Sequence, residues 1–211
     1  MEQIFTDKND LLKNIHIRTN LKIELGPGTQ RFVKDAVTID KFDSDAVDIM
    51  ADFELGLSFL PDNSVDYFYS SHVMEHIVNL ELLLREIHRV LKPNGIYEFI
   101  VPHFANPYYY SDYTHKQFFG LYSMSYFSKT KYFKRGVPQF YNNFDYNIKK
   151  IKLEFTSPFW FRYPFKKTWQ FLFNLNKGMQ ELYEESFCYT FPAYQIRFII
   201  EKNNITIPNN S

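Results

Sequence analysis

A glycine turn directly after an apolar run is the first feature of the sequence that could do chemistry. Gly26-Pro27-Gly28 follows the predicted strand 21–25, in which apolar residues alternate with Lys22 and Glu24, and a backbone without side chains lets a ligand approach closely. A dinucleotide fingerprint would need a third glycine, but Arg31 stands at that position of the Gly-x-Gly-x-x-Gly pattern. The turn therefore fits another small ligand better than a pyrophosphate, although an ordinary tight turn would carry the same glycines.

Acidic side chains stand at the ends of this run and the next two. Glu24 lies just before the glycine turn, and Asp40 is the last residue of the second run, 37–40. Asp52 follows the third run, 47–50, and is next to Phe53. One carboxylate can accept both hydroxyls of a ribose, and another can accept an adenine amino group while the aromatic ring stacks on the base. Such a set suits a ligand with a cationic amino-acid end and repels the phosphates of a dinucleotide. The simpler alternatives are a solvated strand end for Asp40 and a helix cap for Asp52.

The elements that must position these residues are short strands and one clear helix. Leucine and isoleucine recur at three- and four-residue steps over residues 79–92, which predicts an amphipathic helix ending at Pro93-Asn94-Gly95. A short helix is predicted over residues 7–16. Strands are predicted over residues 21–25, 37–40, 47–50, 65–70 and 96–101. Strands that alternate with helical or turn segments predict an α/β fold with a parallel sheet.

The second half of the chain is much richer in aromatic residues than the first, since 33 of the 41 follow residue 96. Residues 103–147 have no clean period, which is typical of a cap or a long functional loop. Strands are predicted over residues 148–155 and 193–201, and an amphipathic helix interrupted at Gly178 over residues 166–185. Cys188 lies in strand-like sequence, and we expect it to be buried rather than reactive.

Six short motifs give the first half a family resemblance. They are Glu24-Leu25-Gly26-Pro27-Gly28, Ile39-Asp40, Ala51-Asp52-Phe53, Leu60-Pro61-Asp62-Asn63-Ser64-Val65-Asp66, Ser71-His72-Val73-Met74-Glu75-His76 and Glu86-Ile87-His88-Arg89-Val90-Leu91-Lys92-Pro93-Asn94-Gly95. In this order, over residues 20–102, they resemble class I S-adenosylmethionine-dependent methyltransferases, and most closely the type 11 group. The resemblance implies a Rossmann-like, mostly parallel sheet of seven strands with the last strand antiparallel.

The resemblance also implies the cofactor, S-adenosyl-L-methionine, and the residues that contact it. The implied contacts are Glu24, Gly26 and Gly28 at the turn, Asp40 for the ribose, Asp52 and Phe53 for the adenine, and Ser71 and His72 after the fourth strand. The sequence departs from the family at Thr29, where a third glycine is common. The link from Gly28 to Asp40 is also short, so the first helix has at most a turn or two. We expect cofactor binding to survive both departures.

Histidines that follow strands are the candidates for acid–base chemistry at the acceptor. Methyl transfer to a hydroxyl needs alignment and a group that takes the proton. We predict His115 or His103 as this base, with Asp112 orienting it. His76 is predicted to be structural, and a purely structural role for His115 remains the alternative. His103, Asp112 and His115 could form a facial metal site, but a loop gives them no fixed register, and no metal site is predicted.

One further string points to the acceptor. Ser111-Asp112-Tyr113-Thr114-His115-Lys116-Gln117-Phe118-Phe119 resembles an Asp-x-Thr-His-x-x-Phe-Phe segment of methyltransferases from surface-polysaccharide clusters. This resemblance implies methylation of oxygen on a sugar, a glycan or another small acceptor, in polysaccharide biosynthesis. The alternatives are methylation of a lipid or quinone-like aromatic, and a binding module that holds S-adenosylmethionine without catalysis. Nicotinamide-dependent redox chemistry fits least, because of the acidic strand ends and the missing glycine.

Composition narrows the setting and the partners. The 211 residues carry 24 Lys+Arg and 24 Asp+Glu, and this neutral balance gives no reason to expect a nucleic-acid partner. A single cysteine excludes an intrachain disulfide framework and a cysteine zinc cage. No signal peptide or apolar spanning segment is recognised, so we expect a cytoplasmic protein.

We predict a single domain over residues 1–211. It divides into an N-terminal helix (1–20), a cofactor-binding half (21–102), a cap and acceptor loop (103–147) and C-terminal strands with an aromatic helix (148–203). The aromatic stretch 158–173 is predicted to cover the sheet and form a homodimer contact. The alternative is a peripheral contact with a membrane surface, because aromatic rings beside lysines suit that interface.

Overall fold

One sheet of eight strands organises the computed structural model, which describes residues 4–203 except for the side chains of residues 14, 16 and 17. The strands are β1 (Phe5–Asp7), β2 (Lys22–Leu25), β3 (Val37–Asp40), β4 (Ile49–Ala51), β5 (Val65–Ser71), β6 (Leu91–Pro102), β7 (Tyr146–Glu154) and β8 (Gln195–Lys202). Their order in the sheet is β1-β4-β3-β2-β5-β6-β8-β7. Residues 1–3 and 204–211 of the predicted domain lie outside the described part.

The predicted seven-stranded sheet is confirmed, and one strand is added to it. Strands β2 to β6 pair in parallel, and β8 runs antiparallel to both of its neighbours. The additional strand β1 pairs antiparallel with β4 and forms one edge. Strand β7 forms the other edge, where Lys149 and Lys150 are exposed and the register shifts between Ile148 and Lys150.

The N-terminal helix predicted over residues 7–16 is wrong in type and extent. The chain forms β1 and then a 3-10 helix over Leu11–Ile17. Asp10 adopts a left-handed backbone with φ 54°, which stops a helix from starting before it. Asp7 still caps the turn, because its carboxylate accepts a hydrogen bond from the Leu12 backbone N–H at 2.8 Å.

The predicted central helix is confirmed as α1 (Leu80–Val90), whose N-terminus is capped by the Asn79 side chain. The helix predicted over 166–185 is instead two helices, α2 (Tyr163–Phe173) and α3 (Lys177–Leu182), followed by a π-helical turn over Tyr183–Phe187. The break precedes Gly178 because the Asn174 side chain bonds the Leu153 backbone, while Asn176 caps α3.

Aromatic rings fill much of the interior. Phe99 of β6 stacks on Phe198 of β8 with ring centroids 4.9 Å apart, and Phe119 of the cap packs edge-on against Phe99. The segment between β6 and β7 has only short 3-10 helices, at Tyr109–Ser111 and Ser123–Phe127, as its lack of period predicts. Cys188 is buried as expected, although it follows the π-helical turn instead of lying in a strand.

Within the described residues, every helix is too short or too polar to cross a bilayer.

Candidate functional site

The parallel register brings the predicted site residues to one edge of the sheet. Leu25 of β2 lies opposite Ile39 of β3 and Ser70 of β5, and Asp40 lies opposite Met50 of β4. The carboxyl ends of these strands therefore meet, and ligands of open α/β sheets bind beyond such ends. The turns that follow the strands carry the residues chosen from the sequence.

The two glycines of the turn differ in the space that a Cβ atom would meet. Both have a left-handed backbone, with φ 65° at Gly26 and φ 60° at Gly28. A Cβ on Gly26 would lie 2.4 Å from Cγ2 of Val73, so Val73 packs directly over the bare backbone. A Cβ on Gly28 would meet nothing within 4 Å. Gly26 is thus constrained from inside the fold, whereas Gly28 borders open space at the ligand-binding edge.

Glu24 is fully buried and directed at the protein backbone. Its carboxylate accepts hydrogen bonds from the backbone N–H groups of Phe32 at 3.1 Å and Val33 at 2.9 Å. These bonds hold the loop 29–36 in place. The loop contains no helix, whereas the sequence allowed a first helix of a turn or two there. In this structure Glu24 shapes the loop that follows the glycine turn.

The two aspartates occupy neighbouring turns. Asp40 accepts hydrogen bonds from the backbone N–H groups of Gly28 at 3.4 Å and Phe42 at 3.1 Å, which ties its turn to the glycine turn. Asp52 caps the short 3-10 helix Phe53–Leu55 by accepting from the Glu54 N–H, and Phe53 is buried. The helix-cap alternative for Asp52 therefore describes its bonding in this structure.

His72 follows Ser71 at the end of β5 with a left-handed backbone, φ 57°. Its Nδ1 lies 3.3 Å from a carboxylate oxygen of Glu75, and its Nε2 lies 3.1 Å from Oε1 of Gln195 on β8. Hydrogen bonding to Glu75 raises the pKa of His72 above its ordinary value. The residue therefore links the cofactor edge to the cavity beside it.

A cavity of about 210 Å³ opens between the ends of β5 and β6 and the cap. Polar and aromatic side chains line it: His72, Glu75, His76, Pro102, Asn106, Tyr108, Tyr109, Asp112, His115 and Tyr194. The cap is fixed here because the backbone N–H groups of Lys116 and Gln117 both donate to the Glu75 carbonyl, at 2.7 and 3.0 Å. The cavity thus brings together His115, Asp112 and His72. A larger concavity, about 620 Å³, lies between residues 122–135 and α3, and its lining includes Glu184.

Hydrogen-bond partners set which nitrogen of each cavity histidine has a free lone pair. Nδ1 of His115 lies 2.9 Å from the Tyr109 carbonyl, which can only accept, so Nδ1 carries the proton. The Thr114 hydroxyl donates to Asp112 at 2.5 Å, and it therefore accepts from Nδ1 of His76 at 2.9 Å. In their neutral forms, both rings offer the Nε2 lone pair. The bond from Thr114 also lowers the pKa of Asp112.

Glu75 is the residue that the sequence analysis missed. Its side chain is fully buried; Nδ1 of His72 lies 3.3 Å from Oε1, and Oε2 has no hydrogen-bond partner among the described residues. A buried carboxylate oxygen without a donor is costly, so such a group commonly serves a ligand or catalysis. The only sequence signal is its place beside His76, just beyond β5.

The residues that could hold a metal ion in the structure differ from the set considered in the sequence, which was His103, Asp112 and His115. His103 is fully buried, accepts a hydrogen bond from the Ala105 N–H through Nδ1, and donates to Glu184 through Nε2 at 2.9 Å. Both of its nitrogens are used, and it does not line the cavity. Ligand atoms of Glu75, His76 and His115 instead lie within 4.8 Å of one another. Two imidazoles and a carboxylate can hold a divalent transition ion, and the same lone pairs can take a proton.

Part of the chain is similar to a known family of domains. Residues 18–99 match the family model for a methyltransferase domain, which takes in less than half of the chain. No curated protein sequence matches the chain.

Solved structures similar to this chain are distant in sequence. A chain from the complex of the Haloferax volcanii Trm112 methyltransferase activator with its methyltransferase partner superposes with TM-score 0.53 and 13% identity, over 95% of this chain and 92% of that one. An Archaeoglobus fulgidus S-adenosylmethionine-dependent methyltransferase gives TM-score 0.48 and 16% identity, over 92% of each chain. A Haemonchus contortus phosphoethanolamine N-methyltransferase gives 0.48 and 15%, over 91% of this chain and 51% of that one. The first of these shows the fold.

Proposed function

We propose that the chain binds S-adenosylmethionine at the glycine edge and transfers its methyl group to a hydroxyl oxygen of a small, sugar-like acceptor in the cavity. The observation that carries this proposal is the cavity in which ligand atoms of His115 and the buried Glu75 lie within 4.8 Å of each other. The methyltransferase-domain match at residues 18–99 supports the cofactor.

The cofactor is assigned to the turns after β2 to β5. Gly28 leaves open space for the amino-acid end, Asp40 accepts the ribose hydroxyls, and Asp52 accepts the adenine amino group beside Phe53. Glu24 acts through the loop it holds, and His72 closes the edge next to the cavity. Carboxylates attract the positive sulfonium and ammonium groups of this cofactor, whereas they would repel a negatively charged pyrophosphate.

The transfer is an in-line displacement that needs little from the protein beyond alignment and a proton acceptor. The acceptor oxygen forms a bond to the methyl carbon while the carbon–sulfur bond breaks, and the sulfur keeps the electron pair as a neutral thioether. The hydroxyl proton passes to the lone pair on Nε2 of His115. Asp112, whose carboxylate lies 3.6 Å from that nitrogen, stabilises the imidazolium that results.

Glu75 favours a polyhydroxylated acceptor over a lipid or quinone-like aromatic. Oε2 of its buried carboxylate has no donor among the described residues, and a bare aromatic phenol brings a single hydroxyl, which the base already uses. A sugar brings a neighbouring hydroxyl that can donate to Glu75 while the reacting one faces His115. Tyr108, Tyr109 and Tyr194 supply flat walls against which a sugar ring can stack.

A methyl-transfer assay with radiolabelled cofactor tests the proposal against two acceptor panels, nucleotide sugars and isoprenoid phenols. We expect label in the sugar panel, strongly reduced by Glu75→Gln and by His115→Gln. Label confined to the phenols would reject the sugar assignment, and tight cofactor binding without turnover on any acceptor would favour a binding module.

Two controls separate the remaining alternatives. A thermal shift with S-adenosylhomocysteine but not with NAD is expected, since only the former fits the acidic edge. Turnover lost in a chelator and regained with a divalent ion would assign Glu75, His76 and His115 to metal binding instead of proton transfer.

A further inference from the structure

A row of exposed aromatic rings lies outside the site described above. Phe159, Trp160, Phe161, Tyr163 and Phe165 are 46%, 85%, 53%, 48% and 68% exposed, and we call this set the aromatic face. They lie on the short 3-10 helix Trp160–Arg162 and the first turn of α2. The inner side of α2 is already packed, because Phe173 is buried and Trp169 stacks on Phe191 at 4.2 Å. The exposed rings are therefore not needed to hold the helix in place.

Positive charge is interleaved with these rings. Residues 155–180 contain no Asp or Glu and four cations; Arg162, Lys166 and Lys167 lie among the rings, whereas Lys177 lies over the Tyr132 ring near the start of β7. The Arg162 guanidinium lies 4.9 Å from the Phe159 ring and 5.5 Å from the Phe161 ring, and the Lys167 ammonium lies 5.0 Å from the Tyr163 ring. None of the salt bridges found among residues 4–203 uses any of the four cations.

The aromatic face stands at the same edge of the sheet as the acceptor cavity. Strand β7 runs parallel to β6, since both are antiparallel to β8, and the aromatic face follows the carboxyl end of β7. Lys166 of α2 donates to the Pro192 carbonyl at 2.8 Å. Two residues further along that segment, Tyr194 lines the cavity, and Gln195 bonds His72. A binding partner that contacts the aromatic face would therefore lie beside the acceptor cavity.

We propose that the aromatic face docks on an anionic phospholipid bilayer, with its rings at the headgroup level and its cations on the lipid phosphates. Aromatic rings beside arginine and lysine are the composition of peripheral membrane segments. A two-fold contact with a second copy, the homodimer expected from the sequence, would set Arg162, Lys166 and Lys167 against the same three cations of that copy. Docking in this way presents the cavity to a lipid-linked glycan; this last step rests on the proposed function, whereas docking itself does not.

Vesicle sedimentation of the full chain tests the docking. We expect binding to vesicles of phosphatidylcholine mixed with phosphatidylserine, little binding to phosphatidylcholine alone, and loss of binding at high salt. Arg162→Glu with Lys167→Glu is expected to weaken binding at least about tenfold. Trp160→Ala is expected to weaken it as well, while Phe140→Ala, which removes a 77% exposed ring of the cap, leaves it unchanged.

Three results would overturn the proposal. They are equal sedimentation with neutral and anionic vesicles, binding unaffected by Trp160→Ala and the charge reversals, and a dimer in ultracentrifugation that Trp160→Ala dissociates. Calorimetry with S-adenosylhomocysteine is run on the same variants and is expected to be unchanged. Vesicle binding without any methyl transfer would keep the docking and remove the proposed function, so the two can fail separately.

Discussion

Replacement of Gly26 by alanine tests how the glycine edge is held together. The new Cβ would lie 2.4 Å from Cγ2 of Val73, on a backbone with φ 65°. A left-handed backbone costs a residue with a Cβ about 1–2 kcal/mol. Overpacking of a close contact adds about 1–3 kcal/mol. We therefore expect Gly26→Ala to lower the free energy of unfolding by roughly 2–5 kcal/mol, a large part of the ~5–15 kcal/mol of a typical domain.

Gly28→Ala is the matched control, because its backbone has nearly the same φ, 60°, but its Cβ meets nothing within 4 Å. Only the conformational cost of about 1–2 kcal/mol applies to its stability. Its methyl group would occupy the space assigned to the cofactor. We expect Gly28→Ala to change cofactor affinity more than stability, the reverse of Gly26→Ala.

Urea unfolding and calorimetry with S-adenosylhomocysteine measure the two effects. Val73→Ala removes the atom that Gly26→Ala meets, so the double variant should recover the steric part, a coupling of about 1–3 kcal/mol in a double-mutant cycle. Equal destabilisation by the two glycine variants, or a cycle without coupling, would refute the explanation from Val73.

Three further predictions concern individual side chains. Asp40→Ala and Asp52→Ala should each weaken S-adenosylhomocysteine binding about ten- to hundredfold in calorimetry with unchanged circular dichroism, since each removes a charged hydrogen-bond acceptor; unchanged affinity in both would remove the cofactor assignment. His115→Gln should lower turnover about 10²- to 10⁴-fold without changing cofactor affinity, and full activity would mean that the base is elsewhere. Burial lowers the pKa of His88 to about 4. Between pH 6.5 and pH 4 the unfolded chain therefore binds a proton on His88 that the folded chain does not bind. The free energy of unfolding, measured with urea, should decrease as the pH is lowered through this window, and it should decrease less in His88→Gln; a decrease of equal size in the variant would contradict this cause.

The sequence predicts the cofactor half of the fold well because local signals and tertiary structure agree there. Strands β2, β3 and β5 fall where apolar runs end in turn residues, and α1 has leucine and isoleucine at helical spacing together with the Asn79 cap. Parallel pairing then forces the turns to one edge, which is why Asp40 and Gly28 could be brought together from sequence alone.

The acceptor cavity was harder to predict because its contacts join distant segments. His103 bonds a carboxylate 81 residues later in the chain, and no local pattern distinguishes it from His115. Glu75 becomes buried only when the cap folds over residues 74–76. Strand β1 is three residues long and is defined by its pairing with β4, so its segment alone suggested a helix.

The exposed lysines of β7 have a consequence for the purified protein. An edge strand presents unpaired backbone groups on which another molecule could extend the sheet. The backbone groups of Ile151 and Leu153 on β7 are already bonded by the side chains of Gln180 and Asn174, and beside them the exposed Lys149 and Lys150 lie where the register with β8 shifts. Concentrated solutions should therefore resist the strand-by-strand growth that leads to fibrils, and replacing Asn174 and both lysines by neutral β-branched residues would weaken that protection.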